Sequence, residues 1–201
     1  MVFKNLTYDK LRRDVEKFTL AENDSYIETY PEFLRYFSSL ETIERHRLII
    51  SSHFVYGWMP TIIHLDIKDI DQILLLLNAV KSGQILNRGE IRRLKSCINN
   101  SMVGLSKLLH FINPTDYAIW DSRIFKYITE KKSQYGIDKP ENYLAYLENL
   151  KAIIAHKDYG ELHKLIEKQF EYAISPMRAI EILMFETDRK FNNDRFVYPS
   201  D

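Results

Sequence analysis

Apolar residues recur every three or four positions through nearly all of this 201-residue chain, and no stretch keeps up the two-residue alternation of a strand. That regularity restricts the fold to helices packed on helices. Local chemistry marks many of the boundaries. In "TYDKLRRDVEKFTL", Thr7 is placed to cap a helix whose Leu11, Val15 and Phe18 share a face. In "SYIETYPEFLRYFSSL", Pro31 is expected to open the regular part. "LETIERHRLIISSHFVYGWMP" reads as a long helix ending at Gly57 and Pro60. "DIDQILLLLNAVKSG" has a carboxylate cap at its start and Gly83 as a left-handed terminator. Three short helices follow in "RGEIRRLKSCI", "MVGLSKLLHFI" and "DSRIFKYITEKK". Then come "KPENYLAYLENLKAIIAH", "YGELHKLIEKQFEYAI" and "SPMRAIEILMFETDRKF", the last with Ser175 as N-cap and Pro176 at the first helical position. The tail "NNDRFVYPSD" lacks periodicity and is expected to fray or to pack as an extended arm.

The expectation is therefore an all-α protein, residues 1–201 forming a single domain of about ten helices. Two interlocked helical lobes, with residues 81–128 forming the active-site region, are the variant of that reading. The loop "KKSQYGIDKPEN" is a surface connection, and no low-complexity linker divides the chain.

Composition narrows the function. Hydrophobic residues make up 45% of the chain, enough to exclude wholesale disorder. Its 28 basic and 28 acidic residues cancel, which argues against a surface that is basic all round. The balance fails locally: from Lys81 to Lys107, six basic residues face the single acid Glu90. Arg88, Arg92, Arg93 and Lys95 in this run are candidate phosphate contacts, or simply a solvated helix face. The lone Cys97 excludes an internal disulfide and a multi-cysteine metal site. Six histidines lack metal-ligand spacing; His46 and His53 share a face two turns apart, but without a third ligand. No cofactor and no metal are expected. The start of the chain lacks the apolar core of a signal peptide, and the apolar runs are too short to span a bilayer, so a cytoplasmic protein without membrane segments is expected.

Chemistry concentrates in "SKLLHFINPTDYAIWDSRIFKYI". Pro114 stops one helix and turns the chain back, and Asp121 stands at the mouth of the next. At minimum Asp121 is an N-cap, a role that contributes about 1 kcal/mol. The same position aims a carboxylate outward from a fixed frame. Lys107 lies in the first turns of the preceding helix, as either plain helix surface or an amine facing the same cleft.

The order "GLSKLL … AIWDSRIF" resembles the helix-hairpin-helix DNA glycosylases. The resemblance spans about 25 residues and implies a glycosylase-like helical fold. It implies that Gly104 is the hairpin glycine, with Gly104 and Ser106 at the phosphate grip, and that Lys107 is the nucleophilic lysine and Asp121 the aspartate that helps expel the base. Double-stranded DNA would be the partner. Two features depart from that pattern: the two-glycine hairpin is reduced to "SMVGLS", and Lys107 and Asp121 are closer in sequence than in lysine-bearing members. The stretches "VYGWMPTII" and "SPMRAIEILMF" are similar to a bacterial family carrying a Trp-Asp-Ser element, which implies no particular activity.

Base excision also needs walls for an extruded base. Trp58, Trp120, Tyr56 and Tyr117 are the aromatic candidates, though core packing is the commoner role of each, and His64 stands in the loop after "YGWMPT". Arg178 and Glu181, three apart on the last helix, form a routine surface pair, or in a buried setting Arg178 would brace Asp121. Beside an enzyme of the base-excision type stands a non-catalytic helical module that binds a protein partner or DNA, as in phage defence or a mobile element. A small-molecule pocket between aromatic helices is the third reading.

Overall fold

The structure, a computed structural model, describes residues 3–21, 24–58 and 63–193, with side chains to 190. Ten α-helices follow one another within them. They are α1 (Tyr8–Asp14, continued by a 3₁₀ turn Val15–Lys17), α2 (Ser25–Ser39), α3 (Arg45–Trp58), α4 (Ile70–Lys81) and α5 (Arg88–Cys97). α6 (Met102–Ile112), α7 (Ser122–Thr129), α8 (Pro140–Ile154), α9 (Tyr159–Glu167) and α10 (Pro176–Asn193) complete the chain. Among the described residues there is no strand, only an isolated bridge between Leu65 and Ile98.

α6 is the axis of the molecule. Apart from Val103 and Lys107 all its residues are buried, as a helix must be when it is apolar on every side. α2, α3, α4 and α5 pack around it, while α10 is laid against α7, α8, α9 and α1. One apolar core runs through both groups, so the whole folds as a single compact domain.

Local chemistry sets most of the helix ends. Thr7 Oγ1 accepts from Lys10 N, Ser101 Oγ from Gly104 N and Ser175 Oγ from Arg178 N. Asn87 and Glu90 form a reciprocal capping box at α5. Gly83 ends α4 with φ +91°, as its left-handed role requires. Asp69 stands at the N-cap of α4, but its side chain makes no capping bond.

Pro31 corrects the reading of α2. It does not open the helix; Asp24 caps it, and Pro31 sits inside Ser25–Ser39. A proline there cannot donate to the carbonyl four residues back. That carbonyl, of Ile27, instead accepts a hydrogen bond from the Tyr172 hydroxyl at 2.9 Å. The interior proline survives because the orphaned acceptor is satisfied from another part of the chain. Pro60, expected to end α3, and the tail from 194 onward lie outside the described residues.

Candidate active site around Lys107 and Asp121

The chain between α6 and α7 is fixed to an unusual degree. Asn113 starts it, donating to Val80 O while its Oδ1 accepts from the amides of Thr115 and Asp116. The four carbonyls of residues 117–120 then each meet a buried side chain: Tyr117 O meets His110, Ala118 O Tyr143, Ile119 O Tyr146 and Trp120 O Ser106. Ser106 Oγ also accepts from Trp120 N at 3.0 Å. Ser106 therefore clamps Trp120, and the next residue of each segment, Lys107 and Asp121, is carried to the same place.

Asp121 caps α7 through one oxygen: Oδ1 accepts from the amides of Arg123 and Ile124, both at 2.9 Å. Oδ2 takes no part in these bonds. The residue is half-buried, and burial pushes its carboxyl upward, opposed by the two amides and by Lys107. Lys107 is half-buried as well. Its amine lies 5.4 Å from the Trp58 ring centroid and makes no ion pair within 4 Å among the described residues. Burial lowers its pKa, with Asp121 and Glu181 pulling the other way.

Both groups line a cavity of about 240 Å³, below the roughly 300–1,000 Å³ of drug-sized ligand sites. α2 supplies Tyr26 and Ile27 and α3 supplies Trp58. One face of α10 forms the long wall with Arg178, Glu181, Ile182, Phe185 and Glu186. Trp58 is held by its indole N–H on Thr29 Oγ1 and by the rings of Tyr26, Phe33 and Phe111. Lys107 and Asp121 also line a second, shallower depression together with Ser101, Gln134 and Asp138.

The Arg178–Glu181 pair is buried, contrary to the surface reading: the two residues are 3% and 2% exposed. Arg178 Nη1 bonds Glu181 Oε2 directly, and its guanidinium lies 4.5 Å from the Tyr30 ring centroid. The arginine's partner is thus Glu181, and it is Glu181 that stands near Asp121. Burial, then the Asp121 charge, push the Glu181 carboxyl up to about 7 against the pull of Arg178. Arg178 Nε and Glu186 Oε1 are buried without hydrogen-bond partners among the described residues, so the cavity wall carries unmet donor and acceptor capacity.

The other expected site residues lie elsewhere. Trp120 and Tyr117 are fully buried and absent from the walls of the Lys107–Asp121 cavity. The Trp120 indole donates to Ile137 O, and the Tyr117 hydroxyl bridges Leu86 N and Gln84 O; both hold the 113–121 segment in place of walling a pocket. Tyr56 is core, pressed against Gly104. Gly104 forms no hairpin turn: it is the third residue of α6, with its amide on Ser101 Oγ. The turn between α5 and α6 is made by Asn99 and Asn100, both at positive φ. Ser106 is buried and occupied by Trp120, so it does not reach a phosphate. Arg88 and Arg92 pair with Glu141, and Arg93 and His64 border other depressions. Arg88, Arg92, Arg93 and Lys95 are absent from the walls of the Lys107–Asp121 cavity.

Glu181, Glu186, Asp24 and Phe185 escaped the sequence reading as site residues. The available signal was "RAIEILMFE", in which Glu181 and Glu186 recur within an otherwise apolar helix. No group of three or more possible metal ligands occurs among the described residues. No helix among them is long and apolar enough to cross a membrane. No protein-family model, no curated protein and no solved structure matches this chain significantly.

Proposed function

We propose that the protein is a DNA-base-excision enzyme of the glycosylase/lyase type, built on a helix-hairpin-helix-like arrangement of α5, α6 and α7. The observation that carries this reading is one cavity, of single-ring scale and walled by Trp58, that holds both the Lys107 amine and the Asp121 carboxylate. A base lifted from the duplex stack needs such a narrow, partly aromatic space. Burial favours the neutral, nucleophilic form of Lys107. The amine would attack C1′ of the sugar while the base departs with the electrons of the glycosidic bond. Asp121 would accept the proton that Lys107 gives up and stabilise the positive charge growing on the sugar. Opening of the sugar ring then leaves a Schiff base on Lys107.

Phosphate contacts come from outside the expected hairpin, since the amides of Met102 and Gly104 are already engaged by Asp138 and Ser101. The test is borohydride trapping on duplexes carrying a panel of damaged bases. Wild type should give a covalent adduct that Lys107→Ala lacks. No base release and no adduct across the panel overturns the proposal. A non-catalytic protein-binding module is the second reading, supported by the exposed Ile50 and Phe54 on α3. DNA affinity that does not change with salt favours it.

A further inference from the structure

Four carboxylates line the cavity; Asp24 and Glu186 pair with Arg189, while Asp121 and Glu181 are held differently from each other. Asp121 Oδ1 receives two backbone amides, which favour its ionised form. Glu181 receives no amide; its one hydrogen bond is Oε2 to Arg178, and its Oε1 is unoccupied among the described residues. The groups facing Glu181 are Arg178 on its own helix, Lys107 of α6, Asp121 at α7, Tyr30 of α2 and Tyr146 of α8. Like charges at close quarters do not both ionise readily, so one proton is retained between the carboxylates. With two amides on Asp121 and none on Glu181, the better place for that proton is Glu181, where burial and the Asp121 charge outweigh the pull of Arg178. A pair of titratable groups pushed apart by their surroundings is the arrangement that divides acid from base.

We propose that Glu181 is the general acid of this cavity, protonating the departing group as its bond to carbon breaks, with Arg178 stabilising the carboxylate that results. The assignment rests on the base-excision reading above. In the bond-breaking step the base leaves with the C1′–N electron pair and takes the Glu181 proton. The Lys107 lone pair forms the new bond to C1′, and the Lys107 proton passes to the Asp121 carboxylate. One proton is given and one is taken, so no further reactant is needed. The resulting Glu181 carboxylate already has its guanidinium partner in place. Glu181 is more than a support for Arg178 in this account, because it loses its proton in each turnover.

The experiment is the pH dependence of single-turnover base release by wild type and Glu181→Gln, on whichever duplex lesion the wild type cleaves. Wild type should lose rate as pH rises through about 7, the range where Glu181 gives up its proton. Glu181→Gln should be slower by on the order of 100-fold and lack that limb, as expected for a lost general acid. A variant with the wild-type rate and the wild-type profile overturns the assignment and leaves the base-excision reading standing. Absence of base release and of trapped adduct in the wild type removes both. Should Glu181→Gln not fold, a carboxyl ¹³C titration of the wild-type protein decides: a glutamate titrating near neutrality supports the role, and only glutamates with ordinary values overturn it.

Discussion

Two serines, Ser52 and Ser106, are both essentially inaccessible, yet replacing each by alanine should have opposite results. Ser106 Oγ is the sole hydrogen-bond acceptor for Trp120 N among the described residues and shares its one proton between Val103 O and Trp120 O, so Ser106→Ala strands a buried amide and weakens a carbonyl. An unsatisfied buried donor costs about 1–3 kcal/mol, and a value of about 2 kcal/mol suits one amide with a partly served carbonyl. In a chain of this size that corresponds to a melting temperature lower by about 4–8 °C. Ser52 Oγ makes no hydrogen bond among the described residues, so Ser52→Ala removes a desolvated hydroxyl and should be neutral or slightly stabilising. Urea unfolding measures both, with unchanged m-values showing that the comparison is of stability alone. Ser106→Ala within about 0.5 kcal/mol of wild type, or Ser52→Ala as damaging as Ser106→Ala, would refute the hydrogen-bond reasoning. Ser106→Ala should also slow base release more than its stability loss explains, since Asp121 follows directly after the freed residue.

Gly104→Ala, ordinarily favourable in a helix, should destabilise by about 1–3 kcal/mol, because the new methyl carbon overlaps the Tyr56 hydroxyl and falls 2.5 Å from its Cζ; thermal melting checks this. His110 donates from Nδ1 to Tyr117 O and accepts at Nε2 from the Tyr30 hydroxyl, and burial first, then Arg178, hold its pKa down to about 3. The unfolded chain therefore binds that proton first: the His110 contribution is complete above about pH 6.5 and shrinks as pH falls toward 3, by about 1.4 kcal/mol per unit. Glu181, with its raised pKa, acts in the opposite direction. The measurement is accordingly the stability difference between wild type and His110→Gln, which should narrow by about 2 kcal/mol from pH 6.5 to 5. Arg178→Met should cost about 3–5 kcal/mol near pH 8 and less near pH 6, where Glu181 takes a proton; Arg178→Met with Glu181→Leu should recover most of that loss in denaturant titrations.

How much was legible in the sequence followed the range of the interaction. Thr7, Asp121 and Ser175 cap helices through bonds spanning two or three residues, so each is visible in a short window. Gly83 is equally local. Pro31 misled because the partner that lets it sit mid-helix, Tyr172, lies far along the chain. Trp120 and Tyr117 read as pocket walls because an aromatic residue next to a reactive carboxylate suggests a binding surface. Only their long-range bonds to Ile137, Leu86 and Gln84 identify them as supports. The spacing of Arg178 and Glu181 fits an ordinary exposed pair, and the burial that makes them part of the cavity comes from α2, α6 and α8 closing over α10.

The Tyr172 hydroxyl on the Ile27 carbonyl has a further result. Ile27 is one of the residues that roof the cavity, and Tyr172 belongs to the short connection between the two final helices. A missing amide has become a latch: the roof is bolted to a distant stretch of the chain at the spot where Pro31 leaves α2 unable to fasten itself. Tyr172→Phe should remove that tie from the Ile27 carbonyl while leaving every reactive group where it stands.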